Sequence, residues 1–159
     1  MNVFALVVLS LFILNLGIAL GAGLYEAKMI MPLWFHKSAK VGYVVNSRAM
    51  DEVNAGRKFW AYVTTGPLTL LTMANLALAW QLKLPGYEWW LVAASITLIE
   101  RIGTFSFFIP TAIKLQMSDQ LASERVNRLV ALWIGLNYVR NICTLLSFAA
   151  ALVAFTFIA

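Results

Sequence analysis

The chain has 159 residues, of which 62% are hydrophobic and 12% are charged, and its formal net charge is +5. Soluble domains carry about 25% charged residues, so this composition excludes a water-soluble fold and predicts an integral membrane protein. The length suits one domain, and the single cysteine, Cys143, excludes an internal disulfide. The positive charge is more typical of loops that meet anionic lipid head groups than of a nucleic-acid-binding surface.

Four apolar runs are long enough to cross the hydrocarbon core as helices, which takes roughly 20 residues. The runs lack the alternation of strands, and only helices or closed barrels satisfy every backbone group in lipid. The first run has no positively charged start and is too long for a signal peptide, so we expect it to be a retained helix. The predicted fold is all-α, a single transmembrane domain formed by a four-helix bundle. Its helices are predicted at about 3–24, 59–80, 89–113 and 129–158.

The connecting loops predict the orientation of the bundle. The loops at 25–58 and 114–128 carry nine lysines and arginines, whereas the turn at Pro85-Gly86 has only Lys83 beside it. Because basic loops stay in the cytoplasm, both long loops are predicted to be cytoplasmic and both termini to lie on the outer side, as in a bacterial inner membrane. Aromatic residues mark the predicted borders: Trp80, Tyr87, Trp89 and Trp90 the outer one, Trp34 and Trp60 the inner one.

Two capping patterns predict helix ends in the cytoplasmic loops. Asn46-Ser47, with Gly56 behind it, predicts a short capped helix in the first loop. Ser118-Asp119 predicts that the fourth helix begins early, ahead of the membrane.

Proline and glycine add two features inside the predicted helices. Pro67 and Pro110 each free a carbonyl, and the resulting kinks are expected to open a cavity in the cytoplasmic half of the bundle. The alternative for Pro110 is that it marks the end of the third helix. The pair Gly17 and Gly21 favours close packing of helix on helix over a homodimer contact.

Charged residues near the middle of the predicted helices are the most informative part of the sequence. Glu100, Arg101 and Arg140 each lie close to the bilayer midplane. A charge there costs about 2.5 to 3.5 kcal/mol on insertion scales, so these side chains are predicted to face inward and to contact each other. Two arginines and one glutamate leave a net positive midplane unless Glu26 reaches in from the inner end. A surplus arginine would suit a carbonyl, phenolate or carboxylate ligand, whereas full pairing would make the charges structural.

Metal and cofactor chemistry has little support. His36 is the only histidine and lies beside Lys37 at the predicted inner interface, where a solvated side chain is more typical than a haem ligand. The histidine, cysteine and carboxylate spacings match neither a zinc site nor a di-iron site. We therefore expect no metal, no haem and no other cofactor, and no nucleic-acid partner.

Four short motifs are spread over most of the chain. They are Gly21-Ala22-Gly23-Leu24-Tyr25-Glu26, then Met31-Pro32-Leu33-Trp34, then Ile109-Pro110-Thr111 with Leu115, and Trp133 with Asn137-Tyr138-Val139-Arg140-Asn141. These motifs resemble the anthrone oxygenase-like family of small four-helix membrane proteins, also called DUF1772. The resemblance implies a four-helix bundle that oxidises anthrones, which are tricyclic polyketides, to anthraquinones with molecular oxygen and no established cofactor. Many bacterial members of that family have no assigned role.

The resemblance also implies roles for residues that match the motifs. Glu26 would accept a proton, and Arg140 and Asn137 would stabilise the enolate or phenolate oxygen as charge develops. The predicted ligand-binding residues are Tyr25, Glu100, Arg101, Asn141 and Trp133, of which Glu100 and Arg101 rest on predicted burial alone.

Three functions are compatible with the sequence. The first is binding, with or without oxidation, of a lipophilic aromatic or quinone-like small molecule. The second is a non-enzymatic accessory subunit, in which the charges only hold the helices together. The third is a small transporter, which would need a homo-oligomer because four helices are few for one. A larger membrane complex is a further partner that the sequence leaves open.

The predicted orientation is tested with reporter fusions. Alkaline phosphatase fused after Ala159 is expected to be active and a green fluorescent protein there to be dark, because the C-terminus is predicted outside. The matched control places the same reporters within the basic loop at 114–128, where the two signals should exchange. Phosphatase activity in that loop would contradict the orientation.

Overall fold

The computed structural model describes residues 2–39, 42–52, 59–118 and 121–159, and most of them are helical. Gly56 and Asp119, named above for helix caps, and the loop residues Lys40, Arg57 and Lys58 lie outside the described residues. The elements are α1 (Val3–Trp34), β1 (Phe35–Ser38), β2 (Gly42–Val45), α2 (Ser47–Glu52), α3 (π-helical Trp60–Thr65 followed by Gly66–Leu82), α4 (Tyr87–Gln116) and α5 (Ser123–Ile158).

Three of the described helices, α1, α4 and α5, are long and apolar enough to cross a membrane. Their outward faces expose large apolar side chains, among them Leu14, Ile99 and Ile142. A continuous apolar surface of this kind is typical of a protein surrounded by lipid. Helix α3 is not among these three, and threonines and Asn75 interrupt its apolar run.

The long helices pack side by side, each against two others. Helix α1 contacts α3 and α5, and α4 contacts the same two helices from the other side. Small residues line the contacts, among them Ala19, Ala93 and Ala151, and they let the backbones approach closely. The first turns of α1 and the last turns of α5 share this apolar cluster, which we call the terminal cluster. Gly86, between α3 and α4, packs against Phe157 at the same end.

Buried polar groups in the terminal cluster are hydrogen-bonded between helices. The Trp90 indole N–H donates to Asn75 Oδ1 at 2.8 Å, and the Ser147 hydroxyl donates to the Ala93 carbonyl at 2.6 Å. Trp90 is 0% exposed, so its prediction as an interface anchor is wrong. The prediction came from the position of Trp90 near the end of its own helix. That position does not show that Asn75 on the neighbouring helix accepts its hydrogen bond. Trp80 and Trp89, in contrast, are exposed.

A β-hairpin between α1 and α2 adds two short strands to a fold that was predicted as all-α. Strands β1 and β2 pair antiparallel, with Phe35 opposite Val45 and Ser38 opposite Gly42. Gly42 has a positive φ of 81°, and the Asn127 side chain of α5 packs against it and accepts from the Tyr43 N–H. The strands are short and lie outside the apolar helix runs, so the transmembrane pattern carried no information about them. The end of the helices that holds this hairpin is called the hairpin end below.

Several helix ends differ from their predictions. Helix α1 does not stop at 24 but continues to Trp34, because Ala27 and Met31 are buried and extend its packed face. Helix α5 begins early, as predicted, but at Ser123, and Ser118 instead accepts from Leu121 in a turn. The helix after Asn46 is confirmed, since Asn46 Oδ1 accepts from the Ala49 N–H at 3.0 Å.

Each proline within a long helix follows a π-helical stretch. Each is the second residue after its stretch: Pro32 after Glu26–Ile30, Pro67 after Trp60–Thr65 and Pro110 after Thr104–Phe108. A proline ring clashes with the carbonyl four residues earlier, and the wider π turn relieves that clash. The Val63 carbonyl, which Pro67 leaves without its usual N–H, accepts from Asn15 Nδ2 of α1 at 2.9 Å. Pro110 therefore does not end its helix, which continues to Gln116.

The closest approach of α1 to α5 gives a test of the fold. A Cβ on Gly23 would overlap the Asn141 side chain, whose Nδ2 donates to the Gly23 carbonyl at 3.2 Å. Gly23→Ala is expected to lower the free energy of unfolding by about 1–3 kcal/mol, measured by thermal unfolding in detergent. Gly135→Ala is the control, because a Cβ there meets nothing within 4 Å. Equal stability of the two variants would contradict the close approach.

Candidate functional site

A cavity of about 910 Å³ opens among the long helices at the level of the three π-helical stretches. Its wall is mainly apolar and aromatic, and it falls in the size range of small-molecule sites. Gly21, Trp60, Thr104 and Phe108 contribute to this wall from three different helices. Pro67 and Pro110, which were predicted to open a cavity at this end, do lie next to this cavity. The helices beside them are widened by π-helical turns, whereas the prediction was of kinks.

One ion pair in the cavity wall joins α1 to α5. Arg140 Nη2 donates to Glu26 Oε2 at 3.3 Å and to Asn137 Oδ1 at 3.2 Å. Asn137 Nδ2 lies 3.5 Å from Glu26 Oε1 and 2.8 Å from the sulfur of Met31. Glu26 is 5% exposed, so the carboxylate is held in an apolar interior by one guanidinium and one amide. The three residues assigned to catalysis by the family resemblance thus form one contact group.

Aromatic rings complete the surroundings of Arg140. The centre of its guanidinium lies 4.7 Å from the Phe108 ring centroid and 5.4 Å from that of Trp60. Cation–π contacts of this kind stabilise a desolvated arginine by about 0.5–2 kcal/mol. Phe108 also packs edge-on against Trp133 at 5.2 Å between centroids. The arginine is therefore placed by a carboxylate on one helix and by rings on two others.

A second ion pair is formed by neighbouring residues of α4. Arg101 Nη2 and Nε donate to the two carboxylate oxygens of Glu100 at 2.6 and 3.2 Å. Both side chains are buried, at 7% and 4% exposure. The remaining terminal nitrogen, Arg101 Nη1, is buried and has no hydrogen-bond partner within the described part of the chain.

The charges of the cavity wall are balanced. Its charged side chains, among the described residues, are Glu26, Glu100, Arg101 and Arg140, in two ion pairs. The predicted surplus of positive charge is absent from this group, because α1 continues far enough for Glu26 to reach Arg140. The expectation that Glu100, Arg101 and Arg140 contact one another is met only for the first two.

The other predicted ligand-binding residues fall in different places. Tyr25 and Asn141 both line the cavity, but Tyr25 is largely exposed and Asn141 is bound to the α1 backbone. Trp133 is buried in the wall, and its indole N–H has no partner within the described residues. Asn137, predicted as catalytic, is fully buried outside the described lining of the cavity and supports the Glu26–Arg140 pair.

Several wall residues were not predicted from the sequence. Trp34 lines the cavity with a buried, unpartnered indole N–H, and Trp60 faces Arg140, although both were expected to be interface anchors. Phe108 contacts both Arg140 and Trp133. The prolines were the signal that could have found these residues, because each proline follows a π-helical stretch whose residues line the cavity.

The arrangement has defined chemical capabilities. A guanidinium in an apolar wall polarises a carbonyl or stabilises an oxyanion, and a buried carboxylate accepts a proton. No group of three or more histidine, cysteine and carboxylate side chains fit to hold a metal occurs among the described residues. His36 lies exposed on β1, in the hairpin, and the absence of a haem remains a prediction.

The ion pair between α1 and α5 predicts how stability depends on charge. Glu26→Gln leaves Arg140 without its carboxylate, and removing one partner of a buried pair costs about 3–5 kcal/mol. The double variant Glu26→Gln/Arg140→Met is expected to recover most of this loss in thermal unfolding. Arg48→Ala is the control, since the Arg48–Glu52 pair is solvent-exposed and should contribute little. A Glu26→Gln protein as stable as the control would argue against a stabilising pair.

Comparison with known proteins identifies no relative of this chain. No protein-family model, curated protein or solved structure matches the chain. The resemblance to the anthrone oxygenase-like family therefore stays a prediction from short motifs, and functional inference rests on the cavity.

Proposed function

We propose that the chain is a transmembrane four-helix bundle that binds a lipophilic aromatic or quinone-like small molecule in its cavity. The cavity carries this proposal, because about 910 Å³ of mainly apolar space contains two buried ion pairs. Intramembrane charges are costly and are usually found where a protein binds or moves something. An apolar wall with a few fixed polar groups is the common form of a small-molecule site.

The proposed membrane arrangement follows from the same elements. In it α3 crosses the bilayer together with the three longer helices, both termini lie outside, and the hairpin and α2 lie at the cytoplasmic surface. The packing of α3 between α1 and α4 supports this, as do the nine basic residues of the two long loops. A bacterial inner membrane is the proposed location.

Oxidation of the bound molecule is the chemical form of the proposal. For an anthrone, Glu26 would take a proton from the methylene carbon, and Arg140, positioned by its hydrogen bond to Asn137, would hold the resulting enolate oxygen. Molecular oxygen is the oxidant: one atom becomes the new carbonyl oxygen as the methylene is oxidised, and the other leaves as water. The 3.3 Å contact between Arg140 and Glu26 supports these roles, because it places a carboxylate that can accept a proton beside a guanidinium that can donate hydrogen bonds to an oxyanion.

A non-enzymatic accessory subunit is the second candidate. The observation that favours it is the pairing of all four charged side chains of the described wall, which needs no ligand to complete it. On this view the Glu26–Arg140 pair aligns α1 with α5, the Glu100–Arg101 pair neutralises charge within α4, and the cavity is filled by lipid. The two candidate functions differ in one expectation: blocking the cavity reduces ligand binding only if the protein has a small-molecule site.

Filling the cavity tests the proposed function. Gly21 lines it, and a Cβ there meets nothing within 4 Å, so we expect the side chain of Gly21→Phe to fit and to occupy part of the cavity. We expect binding of pyrene to protein in lipid nanodiscs to weaken by roughly ten-fold. Energy transfer from the wall residues Trp34, Trp60 and Trp133 to pyrene measures the binding.

The matched control is Gly135→Phe, where a Cβ also meets nothing within 4 Å. Pyrene binding that is equal in the two variants, or absent from the unmodified protein, would reject the binding site. Oxygen uptake with anthrone, measured on the same proteins and on Glu26→Gln, tests the oxidation. Uptake that these changes leave unaltered would remove the catalytic roles and keep the binding.

A further inference from the structure

We infer that the cavity selects electrically neutral ligands that carry a hydrogen-bond-accepting oxygen, and that Arg101 is the residue that sets this specificity. The inference rests on the proposed binding function and names the chemistry that the site accepts. Two observations carry it: the unsatisfied donors of the cavity wall and the balance of its charges.

Among the described residues, the buried side-chain groups of the wall that lack a hydrogen-bond partner are all donors. Arg101 Nη1 and the indole nitrogens of Trp34 and Trp133 are buried without a hydrogen-bond partner in the described chain, and all three residues line the cavity. A buried donor without a partner costs about 1–3 kcal/mol, and more when it is charged. The one other buried unpaired side-chain atom among the described residues, Asn15 Oδ1, belongs to a residue outside the cavity lining. A ligand that supplies acceptors therefore gains more here than one that supplies donors.

Arg101 is the strongest of these donors. Its side chain is 7% exposed, and Glu100 occupies only Nε and Nη2. Hydrogen bonds from a charged donor contribute about 1.5–3 kcal/mol, which exceeds the typical value for a neutral indole. Arg101 also borders a smaller groove of about 390 Å³ that Met73, Ile102 and Phe105 form on the outer surface between α3 and α4. Arg101 therefore lies between the groove and the cavity, and because Nη1 itself is buried, an acceptor reaches it only when the side chains that cover it move aside.

The charge balance decides between a neutral and an anionic acceptor. Each arginine of the described wall already has its carboxylate, so a carboxylate ligand would add an uncompensated negative charge to an apolar interior. A ketone, quinone or ester oxygen accepts from Nη1 without adding charge. The charge balance of the wall therefore disfavours a fatty-acid carboxylate, while Arg101 binds a neutral carbonyl.

Three probes of one shape test this selectivity. Benzophenone carries a neutral carbonyl, diphenylmethane is its hydrocarbon, and diphenylacetate is the related carboxylate. Displacement of pyrene from protein in nanodiscs, with empty nanodiscs as the partition control, gives the three affinities. We expect benzophenone to bind on the order of ten-fold more tightly than the other two. Diphenylmethane that binds as tightly as benzophenone would overturn the inference.

Two variants separate the donor from the charge. Glu100→Gln/Arg101→Met removes the donor and keeps the wall neutral, so benzophenone should fall to the affinity of diphenylmethane while diphenylmethane is unchanged. Glu100→Gln alone leaves Arg101 unpaired, so diphenylacetate should gain on the order of ten-fold. A Glu100→Gln protein that still rejects diphenylacetate would overturn the charge argument. The comparison of the three probes on the unmodified protein tests the inference should either variant fail to fold.

The failure of this inference differs from that of the proposed function. If all three probes displace pyrene equally from every variant, the cavity binds lipophiles without selecting their oxygen, and only the inference falls. If pyrene and the probes do not bind the unmodified protein, both fall. Ultraviolet cross-linking of benzophenone to residues outside the cavity wall would likewise refute both.

Discussion

The contact between Glu26 of α1 and Arg140 of α5 is the constraint on which the hairpin end of the protein depends. A guanidinium in an apolar interior is tolerated only with a partner, and the carboxylate reaches it only because α1 stays helical beyond Tyr25. Asn137 bonds to both charges, and the rings of Phe108 and Trp60 pack on the arginine. Four helices are thereby placed relative to one side chain.

The two ends of the molecule are packed by different means. In the terminal cluster, small residues such as Ala93 and Ala151 bring the helices together, and hydrogen bonds such as that from Trp90 to Asn75 join them. At the hairpin end, three π-helical stretches with prolines widen the helices, and the cavity lies between them. The close-packed terminal cluster holds the helices in place, so the cavity at the hairpin end has a rigid wall. A rigid wall keeps charged groups at fixed distances from one another.

Much of the helical pattern was predictable, and much of the pairing was not. Long apolar runs locate helices because lipid satisfies no backbone group, and the cost of charge in lipid places Glu100, Arg101 and Arg140 inside. Glu100 bonds to its own neighbour Arg101, a pair that helical spacing does not favour, since adjacent residues point about 100° apart. The hairpin and the buried position of Trp90 were also missed, because both depend on contacts with residues distant in sequence.

The sequence by itself determined that apolar helices dominate this chain and that their few charged residues lie inside. The reason is that transferring a charge into lipid is costly, whichever way the helices pack. Only the tertiary structure decided which charges meet and what remains unsatisfied. Glu26 takes up Arg140, Glu100 takes up two of the donors of Arg101, and one nitrogen of that guanidinium is left facing no partner in the described chain. The reason is geometric: hydrogen bonds depend on distances of a few tenths of an ångström between helices, and residue order along one helix does not contain them.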